Sequence, residues 1–559
     1  MPNNRKSFRL VSPLNFLGDC RSPRLELFVL TLAACAAVSC IRTDGNGSPR
    51  GSGGTPGAGS AGMAGGAGDR GAGRGSGTGG VPTTGTGGAT GSGGEGNGST
   101  GGAGGPGGAA GAVGSDAVHV WLTTPDLRNK LTRQADIVPT GSGTANVTFD
   151  ESDRRQTLDG FGAAFTDTSA WLIQTQLSAA NQDKVLSDLF SRSSGIGLSF
   201  MRVPIGSSDF TQCSCTYSYD DGAADPTLGR FSTGHDDAYI IPVLKRAQMI
   251  NPQMKLFANP WSAPAWMKTN NSMLGANGGA LRSDAPDPLA QYFVKFLQDY
   301  KAKGVAVWGI TPQNEPTNQP PSYSAMLFPA SDEAQWIANN LVPALNAAGL
   351  TDVKILGGDD TGVNPAYANA LFANATTENA LYATAWHCYV GDLTAMTSIH
   401  NGHPDKPLYM TECSTGPTGI AGDATERTLI STNNWASGVV LWNLALDQNG
   451  GPKMGVGCEG CTGLVTIDSR TGQYDYTINY YELGQFSKFV APGAQQLAYT
   501  DGAGIWAQAY RNPDGTIAVV AYNRGSSAAS FTVAWKGQGV FSYTLPAGAT
   551  VTFTDVAAQ

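Results

Sequence analysis

Residues Val307 to Pro316 read Val-Trp-Gly-Ile-Thr-Pro-Gln-Asn-Glu-Pro, an apolar run that turns polar and ends at a proline. A short apolar run followed by turn-forming residues is typical of a buried parallel strand that leads into a loop. Seven other segments share this pattern, so eight parallel strands are predicted. They are Leu158–Phe165, Leu198–Pro204, Lys255–Pro260, Val307–Gln313, Lys354–Asp359, Ala383–His387, Leu408–Glu412 and Val439–Leu444.

Helical patterns lie between these strands, with apolar residues at spacings of three and four. The clearest are Ala290–Lys303 and Glu333–Ala348, and Gly304 and Gly349 stand where helix C-caps are expected. Eight units of strand and helix are expected to close on themselves as a (β/α)₈ barrel, the TIM barrel of the α/β class. We predict that residues 157–489 form this barrel.

The pattern changes after Phe489 to short strands of alternating character. The candidates are Ile505–Tyr510, Ile517–Tyr522, Ser530–Trp535, Val540–Leu545 and Thr550–Thr554. Asn512-Pro513-Asp514-Gly515 is a hairpin turn signal between the first two. Residues 116–156 also alternate, and they have no place in the barrel. We predict that they pair with residues 490–559 in one discontinuous antiparallel β-sandwich domain.

The first 40 residues are typical of an export leader. Arg21 and Arg24 precede the apolar run Leu27–Ala34, and Leu32-Ala33-Ala34-Cys35 is similar to a bacterial lipobox, which predicts lipidation of Cys35. A simple cleaved signal and an internal translation start are the alternatives. The chain is therefore expected to be exported, as a cell-surface lipoprotein or a secreted protein, and to contact a membrane only through an N-terminal lipid anchor.

Residues 41–115 consist largely of Gly, Ser, Ala, Thr and Pro. Such a segment buries too little apolar surface to offset the entropy lost on ordering, so a flexible tether is predicted. Over the whole chain, 44 acidic residues outnumber 35 Lys and Arg and give a net charge of −9, which argues against a nucleic-acid partner. The composition leaves the oligomeric state open.

Nine cysteines are present, three of them in the leader. Cys458 and Cys461 have CxxC spacing, and a disulfide within that loop is favoured over free thiols and over a metal. A zinc site would need a second CxxC or a nearby histidine, so no metal is predicted. Cys213 and Cys215 are expected to be too close together for an easy direct bridge.

Two glutamates stand at predicted strand ends, Glu315 just after the fourth strand and Glu412 as the last residue of the seventh. Catalytic residues of this fold occupy the C-terminal ends of the strands, and strands four and seven lie on opposite sides of the ring. Facing carboxyls are what glycosidic cleavage needs. A gap of about 5–5.5 Å gives retention of configuration, and about 6.5–9.5 Å gives inversion. One such glutamate could equally be a structural ion-pair partner, but a matched pair favours catalysis.

The sequence resembles glycoside hydrolase family 30, which includes lysosomal glucosylceramidase and microbial endo-β-1,6-glucanases. The resemblance runs in order through nearly all of residues 116–559. The segments that carry it are Leu158–Asp167, Met201–Gly206, Asn259–Asn270, Gln313–Pro316, Trp442–Leu446 and Phe486–Phe489. Asn-Glu-Pro is shared by a wider clan of such barrels, whereas Pro-Trp-Ser-Ala-Pro-Ala-Trp-Met-Lys is highly specific.

The resemblance implies roles for individual residues. Glu315 matches the general acid/base and Glu412 matches the nucleophile of a retaining hydrolase. The implied substrate-binding residues are Asp209, Trp261, Asn314, His387 and Trp442. In that order they match a group that binds glucose hydroxyls, a wall of the sugar pocket, the partner of the sugar 2-hydroxyl, a cleft residue beside the catalytic pair, and a second wall. No cofactor is implied.

The implied activity is that of a retaining β-glycoside hydrolase of the glucosylceramidase type, with endo-β-1,6-glucanase as the alternative specificity. The loop Lys453–Cys461 departs from the animal glucosylceramidases and leaves the aglycone side open. Cys413, directly after the nucleophile, is expected to pack beneath the site. A non-catalytic glycan-binding surface protein is an alternative from another class, which the presence of both glutamates disfavours. A metal-dependent hydrolase lacks a plausible ligand cluster.

Overall fold

The computed structural model describes residues 117–276, 278–415, 423–455 and 457–556. The predicted leader, its lipidation site Cys35 and the tether 41–115 lie outside these ranges. Within the described ranges, no helix combines the length and the apolar character needed to cross a membrane.

The barrel is preceded by three strands, β1 (His119–Thr123), β2 (Thr132–Arg133) and β3 (Thr148–Thr157). The eight barrel strands all run parallel. They are β4 (Gly160–Ala163), β5 (Phe200–Pro204), β6 (Lys255–Asn259), β7 (Gly309–Ile310), β8 (Lys354–Asp360), β9 (Leu381–His387), β10 (Leu408–Cys413) and β11 (Ala436–Leu441). Their order is β4-β11-β10-β9-β8-β7-β6-β5, and Ala164 pairs with Arg202 where the two ends meet. The predicted barrel is confirmed.

Aromatic rings fill the lower half of the barrel. Phe200 is fully buried and stacks on Tyr409 and Phe257, with ring centroids 4.8 and 5.1 Å apart. Gly438 makes room for this ring, because a Cβ there would lie 2.8 Å from Phe200. Alternate residues of a strand face the same side, so Arg202 on β5 lies one layer above Phe200, towards the C-terminal mouth. The packed aromatic layer is therefore the floor beneath the site.

Helices alternate with the barrel strands. They are α1 (Asp167–Trp171), α2 (Ala179–Phe190), α3 (Ile240–Ile250), α4 (Pro286–Ala302), α5 (Ala330–Trp336), α6 (Val342–Ala347), α7 (Pro365–Phe372), α8 (Ala375–Ala380), α9 (Thr394–Gly402), α10 (Ala424–Asn433) and α11 (Ile478–Ser487). Gly304 and Gly349 follow α4 and α6 with φ of +79° and +67°, the left-handed conformation that a glycine C-cap adopts. The predicted helix over 333–348 is divided by a π-helical turn at Ile337–Leu341.

A small sheet follows the last barrel strand and was absent from the sequence prediction. It consists of β12 (Ala445–Asp447), β13 (Val465–Ile467) and β14 (Tyr474–Tyr476). β12 and β13 are parallel, and β14 is antiparallel to β13. Strands of three residues contain too little alternation to be recognised from sequence. The sheet matters for the site because β12 and β13 hold the two ends of the loop that contains Cys458 and Cys461.

The second domain is built from both ends of the chain. Its C-terminal strands are β15 (Gln495–Thr500), β16 (Ile505–Arg511), β17 (Ile517–Asn523), β18 (Ala529–Trp535), β19 (Gly539–Leu545) and β20 (Thr550–Thr554). One sheet has the order β2-β1-β20-β17-β16-β15-β3, and β18 pairs with β19 in a second layer. Phe531 and Trp535 of β18 share an apolar core with Val551 and Phe553 of β20. The predicted discontinuous β-sandwich is confirmed, and β15 is a strand that the sequence pattern did not reveal.

The expectation for Cys213 and Cys215 is wrong, because the structure joins them in a disulfide. The intervening Ser214 adopts φ of +52°, in the left-handed region. This conformation turns the chain so that the two Cα atoms are 5.2 Å apart, inside the usual range of about 4.4–6.8 Å for a disulfide. Both cysteines are exposed in the loop after β5.

Candidate active site

The two glutamates meet at the mouth of the barrel. Glu412 lies near the end of β10, and Glu315 lies in the loop after β7, where its N–H donates to the carbonyl of Asp359 at 2.8 Å. One carboxylate oxygen of each and a ring nitrogen of His387 all lie within 4.8 Å of one another. Each carboxylate has its own further donor, since Asn318 Nδ2 lies 2.7 Å from Glu315 Oε2 and a tyrosine binds Glu412.

Arg202 is the fully buried cation beneath this pair. Its guanidinium donates to Glu412 Oε2, to Asp359 Oδ2 at 2.8 Å, to Asn314 Oδ1 at 2.7 Å and to Asn259 Oδ1 at 3.0 Å. Burial alone would lower the pKa of Arg202, but the charges of Asp359 and Glu412 raise it overall. The planar guanidinium binds four acceptors at once and so fixes the positions of these acceptors relative to one another. The ammonium group of a lysine could not do this.

Asp359, near the end of β8, is a carboxylate that accepts hydrogen bonds from five side chains. Its two oxygens accept from Arg202, Asn259, Thr311, Thr411 and His387. Burial would raise the pKa of Asp359, but the positive charges of Arg202 and His387, together with these bonds, hold it well below its usual range. Asp359 is therefore an anion that anchors the surrounding side chains.

His387 stands between two acids and has no exposed surface. Its Nδ1 lies 3.3 Å from Glu315 Oε1, and its Nε2 lies 3.1 Å from Asp359 Oδ1. Burial acts to lower the pKa of His387, but Glu412 and Asp359 raise it to about 10. The imidazole is therefore a cation that donates from both nitrogens.

That protonation state bears on metal binding. Glu315, His387 and Glu412 are residue types that hold metals, and they form the one such cluster among the described residues, which the sequence did not reveal. A histidine ligand must be neutral, with a free lone pair facing the metal. Both ring nitrogens of His387 already face carboxylate oxygens, Nδ1 that of Glu315 and Nε2 that of Asp359, so the arrangement suits proton transfer better than metal ligation.

Asp209 is a buried acid that has no cationic partner among the described residues. Within that part of the chain its Oδ1 has no hydrogen-bond partner, and its Oδ2 accepts only a long bond of 3.4 Å from the N–H of Cys458. Burial first, and then the charges of Glu412 and Glu315, raise the pKa of Asp209 to about 7. An unsatisfied buried acceptor costs free energy, so a ligand hydroxyl at this position would be bound favourably.

Trp261 and Trp442 form the apolar side of the site. Their rings stack with centroids 5.0 Å apart, and the guanidinium of Arg202 lies 4.7 Å from the ring of Trp261. Both indoles are almost fully buried, and they share an apolar cluster with Phe210 and Cys461. The structure thus brings together every residue to which the sequence assigned a catalytic or sugar-binding role.

Comparison with known proteins agrees with this geometry. Residues 158–490 match the glycosyl hydrolase family 30 TIM-barrel domain, and residues 493–553 match the family 30 beta sandwich domain. The chain belongs to glycoside hydrolase family 30. The two acids at the barrel mouth, Arg202 and His387 beside them, and the stacked indoles are therefore the candidate active site of this family 30 chain.

Relatives of two specificities are similar to this family 30 chain. Endo-1,6-beta-D-glucanase BGN16.3 of Trichoderma harzianum is 37% identical, over 68% of this chain and 81% of its own length. Lysosomal acid glucosylceramidase of Mus musculus is 30% identical, over 70% of this chain and 80% of its own. The solved structure of the endo-beta1,6-glucanase BT3312 is 31% identical with a TM-score of 0.72, covering 78% of this chain and 99% of that one.

Two disulfides border the family 30 site. Cys458 and Cys461 are joined, as the CxxC spacing favoured, and Cys461 Sγ lies 2.7 Å from Ser414 Oγ. Cys388 and Cys413 are also joined, with their Cα atoms 5.3 Å apart. Cys413 is fully buried in the core beside the site, as expected, and the disulfide is a feature that the expectation did not include. The two residues end adjacent strands, a proximity that separate positions in the sequence do not reveal.

Sequence reasoning missed part of the family 30 site, namely Arg202, Asp359, Asn259, Asn318 and Tyr389. Two of these had a recognisable signal. Arg202 is a charged residue inside an otherwise apolar strand, Phe-Met-Arg-Val-Pro, where an unpaired charge would be very costly. Asp359 ends the fifth strand in the position that catalytic residues of barrels occupy. Tyr389, whose hydroxyl lies 2.7 Å from Glu412 Oε1, had no signal of its own.

A cavity of about 590 Å³ lies away from these residues, between α2, α11 and β1. It has aromatic walls, including Trp121 and Tyr476, but its charged groups already have partners. Lys488 Nζ donates to three backbone carbonyls, and Asp188 accepts from Lys184 and Tyr476. The cavity lacks the unpaired acceptors and facing acids of the barrel mouth, so it does not compete with it as the active site.

Proposed function

We propose that the protein is a retaining β-glycoside hydrolase whose substrate is β-1,6-linked glucan. The observation that carries the chemistry is the short gap between the acids, since oxygens of Glu315 and Glu412 lie within 4.8 Å. Retaining enzymes have carboxyl groups about 5–5.5 Å apart, whereas inverting enzymes leave about 6.5–9.5 Å for a water. The gap here leaves no room for that water, which supports a covalent intermediate.

In the first step, Glu412 attacks the anomeric carbon while Glu315 gives its proton to the glycosidic oxygen. The bond between that carbon and the leaving oxygen breaks as the ester to Glu412 forms. Arg202 and Tyr389 donate to the carboxylate of Glu412 and hold it in line for attack. The cationic His387 donates to Glu315 and stabilises the carboxylate that remains once the proton has left.

In the second step, Glu315 takes a proton from water, and the water oxygen displaces Glu412 from the anomeric carbon. Two inversions give a product with the original configuration. The amide oxygen of Asn314 already accepts from Arg202, so its Nδ2 is the group free for the sugar 2-hydroxyl. The unpartnered Oδ1 of Asp209 accepts from another hydroxyl of the same sugar.

The choice of β-1,6-glucan is supported by the relatives. Three fungal endo-1,6-beta-D-glucanases are 36–37% identical to this chain, and the solved endo-beta1,6-glucanase has the same fold. Glucosylceramide, the substrate type that the sequence pattern favoured, is the second candidate. It is supported by putative glucosylceramidase 4 of Caenorhabditis elegans, 34% identical over 85% of that protein's length.

The test is hydrolysis of pustulan, a β-1,6-glucan, against hydrolysis of glucosylceramide, with product anomers followed by NMR. We expect faster release from pustulan, an initial β-anomer and internal cleavage seen as a rapid fall in chain length. Glu412→Gln should lower kcat by at least about a thousandfold. Glu315→Ala should slow substrates with poor leaving groups far more than activated aryl glucosides.

Glu378→Gln is the matched control, because Glu378 pairs with His403 away from the site, and it should leave turnover unchanged. An initial α-anomer would contradict retention. Near-normal kcat in Glu412→Gln would remove it as the nucleophile. Equal damage to good and poor leaving groups in Glu315→Ala would remove Glu315 as the acid.

We also propose that the enzyme is exported, anchored through lipidated Cys35 and displayed on the tether 41–115, with residues 116–156 and 490–559 as the β-domain and 157–489 as the barrel. The three disulfides support export, because disulfides persist in oxidising compartments. Replacement of Cys35 by Ser should release the activity from the membrane fraction into the soluble fraction. Activity that stays soluble in both proteins would argue for simple secretion.

A further inference from the structure

The disulfide between Cys388 and Cys413 lies directly beside the catalytic residues in sequence and in space. Cys413 follows Glu412 at the end of β10, and Cys388 lies between His387 and Tyr389 at the end of β9. Both cysteines are buried. The bond therefore joins the backbone next to the nucleophile to the backbone between two residues that contact the acids.

The strand pairing at this point is irregular. Met410 lies opposite Trp386, yet Glu412 lies opposite His387, so β10 has one more residue than β9 over this step. The extra residue is Thr411, whose hydroxyl donates to Asp359. Such a bulge re-aims the following side chain and disrupts the local ladder of hydrogen bonds. The next backbone bond, from the Cys388 N–H to the Glu412 carbonyl, is long at 3.3 Å.

The bulge thus turns Glu412 into the barrel mouth at a place where backbone hydrogen bonds hold β10 weakly against β9. Tyr389 Oη lies 2.7 Å from Glu412 Oε1, and His387 Nδ1 lies 3.3 Å from Glu315 Oε1. Any sliding of β9 against β10 would change both contacts together. A covalent bond one residue beyond Glu412 prevents that sliding.

We infer that the Cys388–Cys413 disulfide is a positioning element for the nucleophile. It fixes the end of β10 against the end of β9, so that Glu412 keeps its distance from Tyr389, Arg202 and the anomeric carbon. Neither cysteine touches the substrate. The inference rests on the proposed function, because it assumes that Glu412 is the attacking group. A displacement of about 1 Å in such a group can slow a reaction about a hundredfold.

The test compares two double variants with wild type. Cys388→Ala/Cys413→Ala removes the proposed positioning element, and Cys213→Ala/Cys215→Ala removes an exposed disulfide in a loop and serves as the control. We expect the first variant to lose roughly 10- to 100-fold in kcat, with KM within about twofold, at a temperature where circular dichroism shows it folded. The control should keep both constants.

A second readout follows the nucleophile directly. An activated 2-deoxy-2-fluoro-β-glucoside forms a stable ester with the nucleophile of a retaining glucosidase, and the mass increase measures its rate. We expect labelling of Glu412 to slow in the Cys388→Ala/Cys413→Ala variant by the same factor as kcat. Unchanged labelling and unchanged kcat in the folded variant would overturn the inference, as would an equal loss in the control.

If the double variant does not fold, wild type is titrated with a phosphine under native conditions. The phosphine is oxidised to its oxide, with water as the oxygen source, as each disulfide is reduced to two thiols. Activity should fall with the fraction of Cys388 and Cys413 found alkylated, and return on reoxidation. Full activity with this pair open overturns the inference. If the wild-type protein releases no sugar and is not labelled, the proposed function is contradicted instead. The wild-type measurements alone decide that question.

Discussion

Replacing Asp209 with asparagine should make the protein more stable and less active. Asp209 is only 6% exposed, has no cationic partner in the part of the chain that the structure describes, and shares the barrel mouth with two other acids. Asparagine has the same shape but no charge. It therefore removes the free-energy cost of burying an anion and keeps the packing. A site residue whose loss stabilises the fold is expected where function requires an unsatisfied group.

The magnitude follows from the pKa. Asp209 has a pKa of about 7, against a usual value of 3.8. The folded state therefore binds this proton more tightly than the unfolded chain does, and stability is lost as pH rises from about 4 to about 7. At about 1.4 kcal/mol per pKa unit, the ionised group costs the folded state about 4 kcal/mol above pH 7, and about 2 kcal/mol at pH 5.

The assay is urea unfolding of wild type and Asp209→Asn at pH 5 and pH 8, followed by tryptophan fluorescence. The advantage of the variant should grow by about 2–3 kcal/mol between the two pH values. Loss of a charge-assisted bond to a sugar hydroxyl is worth about 1.5–3 kcal/mol, so kcat/KM should fall roughly 10- to 150-fold. Asp284→Asn is the control, because that carboxyl is exposed and pairs with Arg282 at the surface.

Two results would refute this reasoning. If the unfolding free energies of wild type and Asp209→Asn ran parallel from pH 5 to pH 8, Asp209 would not be a destabilised anion. If kcat/KM were unchanged, the unpartnered Oδ1 would not bind substrate. A gain that also appeared in Asp284→Asn would reflect the general acidity of the protein, whose net charge is −9, and not the site.

Three further perturbations test the surrounding network. Arg202→Met should lower the free energy of unfolding in urea by about 3–5 kcal/mol, because it leaves Asp359 and Glu412 without their buried cation; a loss below about 1 kcal/mol would contradict this. Asp359→Asn should lower the pKa of His387 from about 10 towards its usual 6.5, which the ring-nitrogen NMR shifts would report. The stability that the protonated imidazole contributes should then be lost as pH rises through this lower pKa, and not only near pH 10. Cys458→Ser/Cys461→Ser should raise KM severalfold with little change in kcat, since the loop supports Asp209; a change confined to kcat would count against that role.

The placement of the proposed catalytic pair at the barrel mouth was predictable from sequence, because the order of the strands in a closed barrel fixes where each strand end lies. Glu315 and Glu412 each follow an apolar strand, and the count of strands between them places them across the mouth. The sugar-binding residues Asn314, Trp261 and Trp442 were placed by the family resemblance and lie together at the same mouth. The local pattern and the fold rule were sufficient for the two glutamates, whereas the proposed sugar-binding residues needed the family resemblance.

The electrostatic network could not be predicted in the same way, because it depends on contacts between strands. Arg202 donates to acceptors on four different segments, and the residues next to Arg202 in the sequence do not indicate which segments these are. The Cys388–Cys413 bond has the same origin, since adjacency of β9 and β10 decides it. The Cys213–Cys215 disulfide was missed for a local reason. Spacing alone argued against it, but the left-handed conformation of Ser214 brings the two cysteines together.

The distribution of cations in the site supports the proposal that Asp209 is the acid that binds sugar. Arg202 and His387 are fully engaged with Glu412, Asp359, Glu315 and their neighbours, and neither reaches Asp209. A third cation beside Asp209 would satisfy its free oxygen, but it would also occupy the place of a hydroxyl. Leaving that acid unpaired keeps a strong acceptor for the substrate, at a cost in stability that the titration of Asp209→Asn measures. The free energy that the buried, unpaired carboxylate costs the fold is therefore available for binding the sugar.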